Sequence, residues 1–443
     1  MHRKKLALII TLVLHSKACW AMDLLQAYTA AAEYDATFSA ARASLQAARE
    51  RSLQADALTR PALNIGGGAS VANSGSKPSG LAFSSSTDNS ASLSINGSLP
   101  LYRPANLVQQ QQAKLTEQIA QTQFTQARQD LVLRVAQAYF DVLTAQDALT
   151  SIAAQKLAVT EQLAQAKREF EVGTKTIVDT TEAQARFDQI SALEAVAQAD
   201  LLIKRSALSL LTGKPTPPLG GLVEKPSLGE PNPPVLERWT AAAETENPAV
   251  ISSSLSAQIA QLEINRNKAA NKPVVDLVSS VGVTHSSASP IPNTNLTGRS
   301  ASIGVQFSMP LYTGGANSAR IREAIALEEK SRSDLQTAKR TASQGARSAF
   351  LGVTYGLAQV KALEAAEISA NNQLNATRLG YQVGVRINLE VLNAQQQLAN
   401  TRKDLAKARY DTLLASLKLK SASGELTEED LKVVNTYLDR TVK

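Results

Sequence analysis

The sequence predicts an α+β membrane protein in which each chain supplies four transmembrane β-strands and several long α-helices. Three observations carry this. The chain resembles itself at an offset of about 211 residues, Leu25 falling on Leu236. Each copy holds two segments of about ten residues in which apolar and small polar residues alternate. Each copy also holds a helical stretch far longer than a globular core needs, and in the first no Gly or Pro occurs between residues 105 and 172.

Residues 1–21 read as a secretory signal peptide. His2, Arg3, Lys4 and Lys5 make a basic start, Leu6 to Leu14 is an apolar run, and Cys19 and Ala21 stand at −3 and −1 of a cut after Ala21. The run is too short to span a bilayer. Lipidation of Cys19 is the alternative, and Lys17 just before it weakens that reading. Cleavage removes four cations, so the net charge falls from +7 to +3, from 46 Lys and Arg to 42 against 39 Asp and Glu. That balance is no nucleic-acid footprint. The only cysteine leaves as well, which suits an oxidising compartment.

Repeat 1 spans 22–213. A helix is expected over 23–59, with Asp23 as N-cap and Pro61 beyond its end. In the strand at 62–72, Leu63, Ile65, Gly67, Ala69 and Val71 alternate with Asn64, Gly66, Gly68, Ser70 and Ala72. In the strand at 90–99, Ala91, Leu93, Ile95, Gly97 and Leu99 alternate with Ser and Asn. Period two over this length, polar on one face, marks strands that span a membrane as part of a barrel. The long helix at 105–172 would be a rod of roughly 100 Å at 1.5 Å per residue. Leu131, Val135, Ala138, Val142, Ala145, Leu149 and Ile152 give it a coiled-coil seam. Gly173 breaks the rod, a helix at 174–212 follows, and Gly213 ends it.

The connector at 214–234 holds seven of the sixteen prolines and must be extended and irregular. Repeat 2 spans 235–424, with a helix at 235–271, strands at 274–284 and 300–309, a long helix at 316–380 and a helix at 385–423. Gly345, Gly352 and Gly356 interrupt its long helix and point to close contact or bending. A tail at 425–443 closes the chain. The two copies share punctuation as well as composition. Arg60-Pro61 falls on Lys272-Pro273, Phe170-Glu171-Val172-Gly173 on Tyr381-Gln382-Val383-Gly384, and Thr212-Gly213 on Ser423-Gly424.

Four strands cannot close a barrel, and an open sheet edge in lipid leaves unpaired backbone groups that each cost several kcal/mol. A net stability of about 5–15 kcal/mol cannot absorb two such edges. Either the sheet lies outside a membrane, as a hairpin half-buried in a sandwich, or several copies share one barrel, and three chains supply twelve strands.

Several segments carry a family likeness. They are Pro100-Leu101-Tyr102 and Pro310-Leu311-Tyr312-Thr313-Gly314-Gly315 at the strand-to-helix returns, the corners around Gly173 and Gly384, and the closing stretch from Lys418 to Leu426. On these, over nearly all of the mature chain, the sequence resembles the TolC family of outer-membrane efflux and type I secretion ducts. The resemblance implies a homotrimer with a 12-stranded barrel in outer-membrane lipid, a periplasmic α-barrel, and a mixed equatorial region holding the connector and tail. It implies a periplasmic tip where an adaptor (a membrane fusion protein) and an inner-membrane ABC or proton-driven transporter are met. Val172, Gly173, Thr174, Arg378, Leu379, Gly380, Val383, Gly384 and Val385 match the adaptor-contact motifs. Tyr381 and Arg386 match residues that hold the gate closed, with Asp179 as acidic partner and Glu390 and Asn393 as pore rings. Two positions depart from the pattern: Val178 replaces a hydroxyl partner and Asn393 an aspartate ring. The cargo stays open between protein, drug and metal, and the closing stretch and tip lean toward protein secretion.

Function classes that need a cofactor or metal find no residues. The mature chain keeps one histidine, His285, no Cys/His cluster and no phosphate-binding loop, so no enzyme is expected. The competing class is a trimeric coiled-coil structural or adhesive protein of the cell surface. It explains the heptads but not the signal peptide, the paired hairpins and the duplication together.

Overall fold

The structure, a computed structural model, describes residues 22–438 apart from 77–78, 81–83, 175, 224–225, 227 and 288–293. The signal peptide, Cys19 and Lys175 lie outside the described residues. The elements run α1 (Leu24–Tyr34), α2 (Ala36–Asp56), a 3-10 turn (Ala57–Thr59), β1 (Ala62–Ser76), β2 (Ser84–Tyr102), α3 (Pro104–Glu171) and α4 (Ile177–Thr212). They continue α5 (Leu236–Glu246), α6 (Pro248–Ala269), β3 (Val274–Ser286), β4 (Leu296–Ser308), α7 (Ala316–Gln382), α8 (Asn388–Ser423) and α9 (Glu428–Asn435). No described helix is long and apolar enough to cross a membrane.

Two compact units result. One comprises Ala40–Gln126 and Glu244–Ala342 and holds the sheet. Its strands are antiparallel in the order β1-β2-β3-β4, so the β2–β3 ladder joins the two repeats. The register sets like against like. Ile65, Ile95, Val281 and Ala301 form one row across all four strands, and Asn64, Asn96, Ser280 and Ser302 form the neighbouring row on the opposite face. Paired residues share a face, so one face is apolar and the other lined with Ser, Asn and Gly. The apolar side chains stay open, Ile65 at 71% and Ile303 at 76% exposed, as lipid-facing residues would. The strands run further than 62–72 and 90–99. Asn73 pairs with Thr87 and Ser76 with Ser84, because small polar residues read as loop can still complete a backbone ladder. At the strand-to-helix return, Arg103 donates to the buried Asp276 of β3 at 2.7 and 2.5 Å.

The other unit comprises the described chain up to Ser39, Ala127–Ala243, and the chain from Ser343 onward. Its core is broader than a heptad seam. Leu131, Val135 and Val142 are buried, and so are Val132, Tyr139, Phe140 and Leu143 on the flanks. Neighbours cover those flanks. Tyr139 donates to the Met22 carbonyl at 2.9 Å, and the Phe140 ring stacks on Tyr410. Gln129 donates to the Gly424 and Leu426 carbonyls. The connector is tied down by short bridges, Met22 to Leu219 and Leu222 to Leu438. The tail adds α9, where Leu431 and Val434 are buried. Of the three interrupting glycines singled out in α7, Gly356 marks the close approach. A Cβ there would lie 2.7 Å from the Thr412 hydroxyl of α8, whereas Gly345 faces open space.

The helix expected over 23–59 is broken at Asp35, and the one over 235–271 at Asn247. Both breaks are new helix starts. Asp35 accepts from the Phe38 N–H, and Asn247 caps a helix with Pro248 in its first turn. Asp35 is 7% exposed and holds Arg134 at 2.9 Å. Hydrogen bonding from Arg134 first, then from backbone N–H groups, keeps its carboxyl below the usual range despite burial. Stabilisation from Asp35 is therefore full above the unfolded carboxylate value of about 3.9 and lost as pH falls through the lower folded value. Asp35→Asn should cost about 1–3 kcal/mol at pH 7, since Arg134 is partly exposed and a cap is weakened. Denaturant unfolding should show that difference shrinking as pH falls below about 4.

Candidate functional site

The two helix corners of the second unit carry the residues singled out from sequence. At the first, α3 ends with the Thr174 N–H on the Glu169 carbonyl (2.9 Å) and Gly173 at φ 76°. At the second, α7 ends with the Val385 N–H on the Gly380 carbonyl (2.9 Å) and Gly384 at φ 80°. These are Schellman-type stops, and a left-handed residue makes both possible. The helices that leave the corners start differently. Thr176 and Asp179 form a capping box on α4, while Ile387 at the start of α8 supplies no side-chain cap.

Two helical hairpins meet above these corners. Leu163, Ala166 and Ala183 pack with Phe187 in the α3–α4 pair. Ala370, Leu374, Val391, Ala394 and Leu398 pack in the α7–α8 pair, with Tyr381 against them. Leu392 of α8 packs with Val159 and Ile190 and so joins the pairs.

The polar contacts differ from the simplest expectation. Tyr381 donates its hydroxyl to Glu169 at 3.1 Å, linking the end of α7 to the end of α3. Asp179, expected as the acidic partner, spends its carboxylate on the Thr176 N–H (3.1 Å) and hydroxyl (2.8 Å). Burial first, then the Glu169 charge and hydrogen bond and the nearby Asp179 charge, push the Tyr381 phenol up to about 12, so it remains a donor across the working pH range. Arg386, in the corner before α8, pairs at 2.6 Å with Glu390 in the first turn of α8, both partly exposed. Asn393 accepts from Arg186 of α4 at 3.0 Å. Sequence reasoning missed Glu169 and Arg186. Both sit on helical faces where nothing in spacing separates a cross-helix partner from a solvated charge.

The remaining corner residues are largely apolar and open. Val172, Leu379, Val383 and Val385 are 61–75% exposed, and Val178 beside them is also exposed. Among the described residues no group of three His, Cys, Asp or Glu could hold a metal. The described corner residues grip each other through Tyr381 and Glu169 and present an apolar rim.

A sheet with one apolar and one polar face, and long helices whose ends are joined by the Tyr381–Glu169 hydrogen bond, fit the class of outer-membrane channel proteins. The family model described as outer membrane efflux protein matches the chain twice, over residues 27–214 and 239–425. The chain belongs to this outer membrane efflux protein family. It is 31% identical to the outer membrane protein TolC of Vibrio cholerae over 96% of this chain and 95% of that protein. It is 30% identical to the proteases secretion protein PrtF of Dickeya chrysanthemi, over 97% and 94%. In fold it matches the CmeC outer membrane channel of Campylobacter jejuni with a TM-score of 0.78 at 16% identity, covering 94% of this chain and 90% of that one. It is thus a channel of the Gram-negative outer membrane for efflux or type I secretion, and not an enzyme.

Proposed function

We propose that this chain is one protomer of a homotrimer whose twelve strands close a single outer-membrane barrel. In the same reading, its helices form a periplasmic duct and the Gly173 and Gly384 corners are the gate. The open sheet carries the proposal. Among the described residues β1 and β4 each pair on one side only. In lipid the free edges would cost tens of kcal/mol, and only pairing with further copies removes that cost. Tyr381 with Glu169, and Arg386 with Glu390, then latch the tip, while Glu390 and Asn393 face the pore. The apolar rim of Val172, Val383 and Val385 is the surface for a periplasmic adaptor, which couples the duct to an inner-membrane ABC or proton-driven transporter. Type I secretion of a protein is the favoured task, supported by full-length similarity to a protein named for protease secretion.

Protein extracted from outer membranes in mild detergent should run as a heat-sensitive species of three protomer masses and open pores in planar bilayers. A monomer without pores sinks the reading.

A further inference from the structure

Arg186 lies on α4, beside Phe187 of the inter-hairpin core. Its Nη2 donates to Asn393 Oδ1 at 3.0 Å, and its Nη1 to Gln396 Oε1 at 3.2 Å and Gln189 Oε1 at 3.1 Å. The guanidinium therefore bridges α4 and α8 while spending its donors on three neutral amides. A carboxylate in any of those places would cancel its charge; an amide cannot. Among the described residues Arg186 forms no ion pair, not even with Glu182 one turn earlier on α4, and several other charges at the corners are already matched. Arg386 is closed on Glu390 at 2.6 Å, Lys156 on Glu194 at 2.6 Å, and Asp179 is held in the Thr176 cap. Asn393 is exposed and Arg186 is partly so. A guanidinium keeps its charge at any working pH.

We infer that Arg186 is a specificity-determining residue: it fixes an unmatched positive charge on the Asn393 face of the gate, so the constriction favours anions and holds divalent cations poorly. The inference rests on the reading that Glu390 and Asn393 face the pore. Asn393 and Arg186 then act together. The amide position gives up a negative charge, and the arginine held by it supplies a positive one.

Reversal potentials of the reconstituted channel across a tenfold KCl gradient test this, with 0.1 M as the dilute side to limit screening. Arg186→Gln should raise the potassium-to-chloride permeability ratio roughly threefold or more, the effect of one unit charge a few Å from a passing ion even at the dielectric of water. Arg186→Lys keeps the charge and should keep the wild-type ratio. Asn393→Asp leaves α4 untouched, neutralises Arg186 in place, and should move the ratio in the same direction as Arg186→Gln. Should Arg186→Gln not yield a folded channel, Arg186→Met, which keeps the aliphatic stem and removes the charge, takes its place, because Asn393→Asp adds a pore carboxylate of its own. An unchanged ratio in the variants recovered, or an Arg186→Lys shift as large as that of Arg186→Gln, overturns the inference. Failure of the gate reading itself shows elsewhere, in the conductance of variants at Tyr381 and Arg386.

Discussion

Replacing Tyr381 by Phe together with Arg386 by Ser should raise single-channel conductance in planar bilayers, and Tyr381→Phe alone should account for most of the rise. The asymmetry follows from where each partner sits. The Tyr381 hydroxyl crosses from α7 to Glu169 of α3, so losing it frees one hairpin from the other. It is a hydrogen bond to a charged acceptor at a partly buried position, worth about 2 kcal/mol. That is roughly a 30-fold shift in the balance of closed and open tips for each latch released. Arg386, in the corner just before α8, binds Glu390 in the first turn of that helix, with the arginine side chain 58% exposed, and such a pair contributes about 0–1 kcal/mol. Its removal loosens the start of α8, which already lacks a side-chain cap, but cuts no link between hairpins. Conductance in the double variant equal to wild type removes the gate. A rise from Arg386→Ser alone equal to that of the double variant would instead transfer the latch from Glu169 to a partner that Arg386 meets in the assembled channel.

The fold was legible in the sequence wherever a backbone rule repeats. Period two fixed which sheet residues share a face, and the rows from Ile65 to Ala301 and from Asn64 to Ser302 are that alternation set in register. Gly173, Gly213, Gly384 and Gly424 end helices because each adopts a left-handed conformation that side chains resist. The helix breaks at Asp35 and Asn247 were less legible. Asp35 is tolerated inside a helix by propensity, and only its use as a cap shows that a new helix starts there, whereas Asn247 is followed by Pro248, a start signal present in the sequence that the expected unbroken helix overlooked. The candidate site was legible as positions but not as partnerships. Tyr381, Arg386, Glu390 and Asn393 lie together near one corner, yet Tyr381 and Asn393 bond to Glu169 and Arg186 on other helices. Which residue meets which depends on the rotation of one rod against another, and a surface helix that is Gln- and Ala-rich on several faces carries little record of it.

Gly213→Ala should destabilise the protein by about 2–5 kcal/mol, more than the same change at Gly173. Both glycines are left-handed, at φ 67° and 76°, so each substitution carries the conformational cost of a side chain there, about 1–2 kcal/mol. The surroundings separate them. A Cβ at Gly173 meets nothing within 4 Å, while at Gly213 it would lie 2.5 Å from two ring carbons of Tyr34. Those are the inner carbons of the ring, so rotation about the ring axis cannot clear them and the whole side chain must move. Tyr34 is 60% exposed and has room to do so, which holds the overpacking term to the lower part of its range of about 1–3 kcal/mol. Tyr34→Ala should therefore rescue part of the Gly213→Ala loss and none of the Gly173→Ala loss. Denaturant unfolding of the purified channel distinguishes the cases. Equal destabilisation at the two glycines would mean that the ring yields freely, and that α4 is ended by backbone geometry alone.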